Sequence, residues 1–242
     1  MLPFSKSILI LSLVFSIFAL FGCAVDKPLR MPLARVQGLK DHFYPGQIIA
    51  LPKGRVLTFD ALLNELRSKR LVFVGEAHDN REHHLLQVQI LQALLSREPG
   101  MDTAMEFFQV DQQQAIDRYF DGRTDEPQFL EEAQWSKTWG FPYRFYRSLI
   151  QATKDRNRRL LAINAPRGII KHIARGGLAG LKPEERTQLA ENIDLTDAEH
   201  LAFVHEIYKM HAHGSLKNFD YFYQAQCAWE DTMAENIAKY LV

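Results

Sequence analysis

Residues 71–96 constrain the fold of this chain more than any other stretch, because a short apolar run there leads through a polar turn into a helical pattern. Residues 71–74, Leu-Val-Phe-Val, have the β-branched and aromatic composition of a strand buried on both faces. Asp79 and Asn80 are residue types that cap a helix, and Glu82 adds a negative charge to its first turn. The pattern therefore predicts a strand-turn-helix unit.

The turn of this unit carries residues that can bind a ligand. Glu76 and His78 lie at the exit of the predicted strand, and His83 and His84 begin the helix. In open α/β sheets, ligands bind at the carboxyl ends of the strands. The alternative is a solvated turn whose histidines have no function.

Two further apolar runs, residues 102–108 and 159–166, predict a second and a third strand. Because helical patterns separate the runs, the strands should be parallel, with right-handed crossovers. We therefore predict an α/β fold in which a mostly parallel sheet is flanked by helices, with a large helical portion.

Parallel strands bring their carboxyl ends to one edge of a sheet, so Glu106 and Asn164 should lie beside Glu76 and His78. Two carboxylates and an imidazole can bind a divalent metal such as Mn, Fe or Zn. We therefore predict that Glu76, His78 and Glu106 form a metal site. Acid-base chemistry at the same carboxylates is the alternative.

Composition and motifs exclude several other functions. The formal net charge is zero, so nothing indicates a nucleic-acid surface. The sequence has no glycine-rich phosphate loop and no G-x-S-x-G motif, so neither a nucleotide site nor a standard serine hydrolase is expected.

A second group of histidines surrounds Tyr208 in a helical pattern of residues 197–212. At helical spacing, Tyr208 shares one face with His205 and another with His211. Histidine and tyrosine are both ligand types for haem iron. An ordinary solvated helix is the alternative.

Aromatic residues are concentrated in residues 135–146, which include Trp135, Trp139, Phe141, Tyr143 and Tyr146. Such a cluster is typical of a protein core. The alternative is that it forms one wall of a flat apolar ligand pocket.

The N-terminus indicates export and lipidation. Lys6 precedes an apolar run at residues 8–21, which fits the hydrophobic region of a signal peptide. Residues 20–23, Leu-Phe-Gly-Cys, resemble the lipobox of bacterial lipoproteins, so we expect residues 1–22 to be removed and Cys23 to be lipidated. Ala24 after the cysteine implies the outer membrane by the familiar sorting rule. A plain secretory signal and an uncleaved anchor are the alternatives.

After Cys23, residues 23–57 are predicted to be a tether with an irregular lead-in, and residues 58–242 to be the α/β domain. The remaining cysteine, Cys227, lies in a helical pattern and is expected in the core.

Several motifs together resemble the ChaN-like haem-binding lipoproteins of the Tiki-like superfamily. These motifs are Gly75-Glu76-Ala77-His78-Asp79-Asn80 with His83-His84, Met105-Glu106-Phe107, residues 135–140, Asn164-Ala165-Pro166, and Ala225-Gln226 through Trp229 to Met233-Ala234. The resemblance spans roughly residue 59 to the end. Two departures are Glu230, where the family usually has Asp, and the family's further strand with a Gly-x-Gly-His-like turn, which does not follow here.

The resemblance implies an α/β fold, an outer-membrane anchor and haem binding during iron acquisition. It also implies a metal-hydrolase ancestry, in which Glu76 and His78 are metal-site residues. We interpret the chain as a lipid-anchored haem-binding protein and not as an enzyme.

We expect the iron ligand to come from outside the Glu76 turn, because carboxylate-rich sites suit hard divalent ions better than haem. Our first candidate is Tyr208, supported by His205 and His211. The other candidates are His172, Tyr143 and His84. Expected partners are haem, the membrane through Cys23, a second copy of the chain and an outer-membrane haem receptor. The rival functions are a metal-dependent hydrolase at Glu76 and His78, and a non-catalytic envelope interaction protein.

Overall fold

The computed structural model describes residues 33–211 and 218–242, and Cys23 and the predicted signal peptide lie outside these ranges. The chain divides into two compact units, one ending at Glu65 and one beginning at Leu66. Each unit is described separately below.

The first unit contains two antiparallel hairpins and most of one helix. Strands β1 (Ala34–Arg35) and β2 (His42–Phe43) pair with each other, as do β3 (Ile48–Ala50) and β4 (Arg55–Leu57). Helix α1 (Phe59–Leu66) follows, and the Thr58 hydroxyl accepts a hydrogen bond from the Ala61 amide at 3.1 Å. This contact confirms the cap that the sequence predicts at Thr58.

The second unit is built around a parallel pair of strands, β5 (Thr103–Gln109) and β6 (Leu160–Asn164). Thr103 is opposite Leu160 and Gln109 is opposite Asn164, with an irregular register between Met105 and Gln109. Both strands lie where the sequence predicts them, and their parallel pairing is confirmed. The irregular stretch contains Glu106, and such irregularities often redirect a side chain next to a binding site.

Helices surround this strand pair. In chain order they are α2 (Arg81–Arg97), α3 (Gln113–Phe120), α4 (Glu126–Glu132), α5 (Trp135–Thr138), α6 (Arg147–Asp155), α7 (Arg167–Gly176), α8 (Pro183–Arg186), α9 (Ala198–His211) and α10 (Phe219–Leu241). Among the described residues, none of the helices combines the length and the apolar character that crossing a membrane requires.

The main core of the second unit is aromatic. Phe108, Phe129 and Tyr146 are buried, and the rings of Tyr119 and Phe129 stack at 4.6 Å between centroids. Trp135 is buried in the same cluster, and Trp139 and Phe141 pack against it half-buried. Part of the aromatic segment is therefore core, as expected, and its half-buried rings pack against that core.

A second core joins α7 to α10 through Ile169, Ile173 and Ala228. Gly177 caps the C-terminus of α7, and its φ is +74°. A Cβ at this position would lie 2.9 Å from the Tyr221 ring. Glycine is thus required both by the backbone conformation and by the close approach of α10. Cys227 is also buried, which confirms its expected place in the core.

The prediction of a strand at residues 71–74 is wrong. Residues 71–77 are extended but belong to no sheet, and Leu71, Phe73 and Val74 are 40%, 78% and 38% exposed. Among the described residues, β5 pairs only with β6, and its other side faces a cavity that the extended segment also lines. Composition marks a run that favours extended backbone, but a strand also needs a hydrogen-bonded neighbour, which composition does not specify.

Candidate metal and haem site

The turn after the extended segment positions Glu76 and His78. The Asn80 side chain accepts hydrogen bonds from the backbone amides of Glu82 at 3.0 Å and His83 at 3.3 Å, which caps α2. The Asn80 amide donates to the Ala77 carbonyl at 2.8 Å. The cap predicted from the sequence is therefore confirmed at Asn80, and it ties the turn to the helix.

Glu76 orients the imidazole of His78. Nδ1 of His78 lies 2.6 Å from Oε1 of Glu76, and the carboxylate can only accept this hydrogen bond. When the imidazole is neutral, Nδ1 carries the proton and Nε2 keeps a free lone pair. Metal-binding histidines in proteins commonly have such a carboxylate behind them, because it fixes the tautomer and raises the basicity of the ligand nitrogen.

The Glu76 carboxylate is buried and only partly satisfied. Its side chain is 7% exposed, and Oε1 also accepts a hydrogen bond from the Tyr146 hydroxyl at 3.3 Å. Oε2 is buried without a hydrogen bond, although Nε2 of His84 lies 3.6 Å away. Leaving a buried carboxylate oxygen unpaired costs free energy, and a bound cation would remove that cost.

Glu106 completes the acidic cluster from β5. Its Oε1 lies 3.9 Å from Nε2 of His78, and its backbone carbonyl accepts a hydrogen bond from the Asn164 side chain at 2.6 Å. Burial raises the pKa of Glu106, His78 opposes that rise, and Glu76 adds to it. A negative charge on Glu106 is disfavoured beside the Glu76 carboxylate, which adds to the rise.

Glu76, His78 and Glu106 offer one ligand atom each, and these atoms all lie within 4.8 Å of one another. The structure thus brings together the three residues that the sequence predicts as a metal site. Carboxylate and imidazole together suit Mn, Fe and Zn, and three protein ligands leave room for an exogenous one.

Aromatic rings enclose the imidazole of His78. The Trp139 and Phe141 rings lie 4.9 Å and 4.8 Å from it between centroids. The free nitrogen of His78 is therefore beside an apolar wall as well as beside a carboxylate.

The acidic cluster opens into a cavity of about 1080 Å³ within the second unit. The extended segment, α2, β5 and α10 line this cavity, and its middle is apolar. The apolar residues include Ile90, Leu94, Met105, Phe107, Met233 and Ile237. Small-molecule pockets usually measure about 300–1,000 Å³ and are mostly apolar with a few polar groups, so this cavity is large enough for a cofactor.

Three of the other predicted haem ligands, Tyr208, His205 and His172, do not line this cavity. Tyr208 and His205 are on α9, as the pattern predicts, and their rings contact Phe219 at 5.3 Å and 4.6 Å between centroids. His172 on α7 lies 3.1 Å from Glu185 on α8. His211 ends α9, but its side chain is outside the described part of the chain.

The two remaining candidates, His84 and Tyr143, form polar contacts with neighbouring groups. His84 is buried, with Nδ1 3.2 Å from the Gln87 side-chain oxygen and Nε2 3.1 Å from the His78 carbonyl, so neither nitrogen is left free for a metal. The Tyr143 hydroxyl is 3.5 Å from Glu126, and burial raises the pKa of this tyrosine. Iron binds the tyrosine as a phenolate, and a raised pKa disfavours that form.

Sequence reasoning missed two contributions to this site. The sequence placed Tyr146 only in the aromatic segment, but its hydroxyl donates a hydrogen bond to the Glu76 carboxylate. The basic residues Lys69 and Arg70 precede the extended segment and line the same cavity. Their charges are visible in the sequence as a short basic run, but nothing in the sequence indicates that they face a cavity.

Known proteins resemble this chain in fold and in part of its sequence. The structure of ChaN from Campylobacter jejuni, solved to describe cofacial haem binding, matches with a TM-score of 0.59 at 20% identity, covering 75% of this chain and 71% of that one. The chloroplastic protein RETICULATA-RELATED 5 of Arabidopsis thaliana is 26% identical over 150 residues, which cover 58% of this chain. The aligned part spans only 19% of that plant protein.

The family comparison covers more of the chain. The model of a family described as haem-binding uptake, Tiki superfamily, ChaN, matches residues 62–242. This match includes the extended segment, the acidic cluster and the strand pair. The chain therefore belongs to the ChaN family of haem-binding uptake proteins in the Tiki superfamily.

Proposed function

We propose that this chain binds haem in the cavity of the second unit, with His78 as the iron ligand, and that it is not an enzyme. The observation that carries the proposal is the oriented imidazole, because Glu76 holds Nδ1 at 2.6 Å and leaves Nε2 free beside an apolar cavity. Haem needs an axial ligand and an apolar space, which Nε2 of His78 and the apolar lining of the cavity would supply. Membership of the ChaN family of haem-binding uptake proteins supports haem as the bound cofactor.

Two aromatic rings that do not line the cavity pack against His78. Trp139 and Phe141 provide aromatic surfaces within 5 Å of the imidazole ring, between centroids. The hydrogen bond from Nδ1 to Glu76 gives the imidazole partial imidazolate character, which strengthens it as a ligand for ferric iron. The iron of bound haem would be a cation beside the carboxylates of Glu76 and Glu106.

Tyr208 remains the sequence-based alternative for the iron ligand. Its ring packs against Phe219 and Phe222 at 5.3 Å between centroids in both cases, away from the acidic cluster. A tyrosine ligand would give a pentacoordinate, high-spin ferric spectrum with a charge-transfer band. The Tyr208→Phe and His78→Ala variants therefore distinguish the two ligands, because only one of them should change the spectrum.

The cellular role follows from the sequence. We infer that Cys23 carries lipid, that the mature chain is anchored in the bacterial envelope at the outer membrane, and that bound haem serves iron acquisition. A second copy of the chain and an outer-membrane haem receptor are the partners that such a role requires.

The experiment that tests the proposal is a titration of the purified protein with haemin, followed by absorption in the Soret region. We expect a saturable shift of the Soret band at a fixed stoichiometry. A linear increase that matches haemin added to buffer would contradict haem binding.

A divalent metal at Glu76, His78 and Glu106 is the second candidate, and a specific observation favours it. Three ligand atoms lie within 4.8 Å of one another, and Oε2 of Glu76 is buried without a hydrogen bond. Bound Mn, Fe or Zn would offer the Lewis-acid chemistry of a hydrolase, in which the metal lowers the pKa of a bound water. Titration of the haem-free protein with each metal, followed by calorimetry, tests this site.

A further inference from the structure

Cationic side chains are concentrated at the amino ends of the extended elements in the second unit. Arg158 and Arg159 directly precede β6, and Lys69 and Arg70 directly precede the extended segment. Arg67 lies two residues before Lys69. We call these five residues the basic cluster.

Contacts join the basic cluster into one surface. The Thr103 amide at the start of β5 donates to the Arg159 carbonyl at 3.0 Å, and the guanidinium of Arg159 lies 4.5 Å from the centroid of the Tyr240 ring. Tyr240 is next to Leu241, whose carbonyl accepts a hydrogen bond from Arg70 at 2.9 Å. The cluster therefore extends over the starts of both strands and the end of α10.

The carboxylates within the cluster neutralise only part of its charge. Glu98 pairs with Arg67 at 2.9 Å, and Asp102 pairs with Arg158 at 2.7 Å and with Arg159 at 3.2 Å. The Asp102 side chain is 7% exposed, whereas those of Arg67 and Arg159 are 57% and 69% exposed. The buried carboxylate thus lies beneath arginines that reach the solvent.

Lys69 and Arg70 supply the excess of positive charge. Both residues are exposed, and within the described ranges neither forms an ion pair with a carboxylate. Arg70 uses one guanidinium nitrogen on Leu241, and its other donors remain available. The carboxylate of Val242 follows Leu241, and the five cations still outnumber the carboxylates when it is counted with Glu98 and Asp102.

The acidic cluster lies at the other end of the same elements. Because β5 and β6 are parallel, their amino ends share one edge of the strand pair and their carboxyl ends share the other. Glu106 is in the second half of β5, and Glu76 and His78 end the extended segment. The second unit therefore has opposite charge at its two ends.

We propose that the basic cluster docks the second unit on an anionic phospholipid surface, with the acidic cluster directed away from that surface. Lysine and arginine bind phosphate oxygens through charge-assisted hydrogen bonds, and anionic headgroups attract such cations near a membrane. Lipid on Cys23 would keep the chain beside a membrane, and this part of the argument rests on the proposed envelope location. Docking in this direction leaves the acidic cluster accessible to a ligand.

The test is co-sedimentation of the mature chain with lipid vesicles. The chain carries Cys23→Ser, so that no acyl chain can insert into the bilayer. Vesicles of phosphatidylcholine mixed with phosphatidylglycerol are compared with vesicles of phosphatidylcholine alone. We expect binding only to the vesicles that contain phosphatidylglycerol, and we expect it to weaken as salt is raised, because salt screens exposed charges.

The variants remove the two cations that no carboxylate neutralises. Lys69→Gln combined with Arg70→Gln should weaken binding to the anionic vesicles roughly 10- to 30-fold, which corresponds to about fivefold for each cation. Lys69→Gln alone should give part of this loss. Thermal unfolding followed by circular dichroism shows that a loss of binding is not a loss of fold.

The matched control removes two exposed cations near the acidic cluster. Arg81 begins α2 directly after the turn that holds Glu76 and His78, and Lys137 lies two residues before Trp139, whose ring contacts His78. Arg81→Gln combined with Lys137→Gln should bind the anionic vesicles like wild type, because this end is directed away from the lipid.

Three results would overturn the docking assignment. The first is equal binding to both kinds of vesicle, or wild-type binding by Lys69→Gln and by the double variant. The second is an equal loss in the Arg81→Gln, Lys137→Gln control, because net charge alone would then explain the binding. The third is release from the vesicles by soluble glycerol phosphate at constant ionic strength, which would assign the cluster to a free phosphate.

These results are independent of the proposed function. Haem binding is measured by the haemin titration, and lipidation is measured by the fate of Cys23 in cells. A protein that binds haemin but not the anionic vesicles would overturn the docking assignment alone. A protein that binds the vesicles but not haemin would overturn the proposed haem function alone.

Discussion

Oε1 of Glu76 lies 2.6 Å from Nδ1 of His78, and this contact decides which nitrogen of the imidazole can bind a metal. With the proton fixed on Nδ1, Nε2 is the ligand atom, 3.9 Å from Glu106. Among the described residues that line the cavity, His78 is the only histidine. The relationship between these two residues therefore links the acidic cluster to the cavity.

Glu76→Gln should lower the affinity for divalent metal by about 10- to 100-fold, the usual effect of losing a residue that supports a metal ligand. The amide of glutamine keeps the size of the side chain but removes the charge that orients His78. Calorimetric titration with Zn or Mn measures the effect. Glu131→Gln, which changes an exposed carboxyl on α4, is the matched control. Unchanged affinity in Glu76→Gln would show that the carboxylate does not support a metal.

Asn80→Ala should destabilise the protein by about 0.5–2 kcal/mol, because the Ala side chain cannot accept the two amide hydrogen bonds at the start of α2. Urea denaturation followed by circular dichroism measures this. Asn80→Asp retains a capping oxygen and should stay close to wild type. An Asn80→Ala variant as stable as wild type would mean that the cap contributes nothing to the turn that holds Glu76 and His78.

Asp102→Asn should lower the free energy of unfolding at neutral pH by about 1.5–3 kcal/mol, the usual value of hydrogen bonds to a charged group. Burial by itself raises the pKa of Asp102, but the Tyr240 hydroxyl, the Arg159 backbone amide and the nearby arginines together hold it below its ordinary 3.8.

The pH dependence follows from that lowered pKa. A group whose folded pKa is depressed stabilises the protein above its unfolded pKa and loses this contribution as pH falls through the folded value. Wild type should therefore lose this stability below about pH 3.8, and Asp102→Asn should lack that component. Asp121→Asn, at an exposed pair with Arg123, is the control. Parallel pH profiles for wild type and Asp102→Asn would contradict the assignment.

Cys23→Ser should release the mature protein from membranes, because the predicted lipid would have no attachment site. Fractionation of cells into soluble and membrane material, with mass spectrometry of the N-terminal peptide, measures this. Cys227→Ala, which removes the buried cysteine, should stay membrane-bound. Wild-type partitioning of Cys23→Ser would refute the lipobox.

The strand pair and the acidic cluster could be predicted from the sequence because both depend on short-range patterns. Two neighbouring apolar runs with helical patterns between them favour parallel pairing, which β5 and β6 show. Glu76 and His78 are two residues apart, so their contact depends on the local turn and not on distant parts of the chain. Asn80 caps α2 through its own neighbouring amides.

Features that depend on distant contacts could not be predicted. Residues 71–77 have the composition of a strand, but their position relative to β5 depends on what fills the space between them. His84 looked like an available ligand, yet its helix face turns it inward against Tyr146, 4.7 Å away between centroids. The place of Lys69 and Arg70 at the cavity depends on α10, whose residues are more than 160 positions away.

The most direct measurement of the central claim is the absorption and EPR spectrum of the ferric haem complex in wild type and in His78→Gly, with and without added imidazole. If His78 binds the iron, His78→Gly should lose the wild-type Soret band and spin state, and imidazole should restore both by occupying the space that the side chain leaves. Tyr208→Phe should keep the wild-type spectrum. A His78→Gly complex with the spectrum and haemin affinity of wild type, unchanged by imidazole, would contradict haem binding at His78.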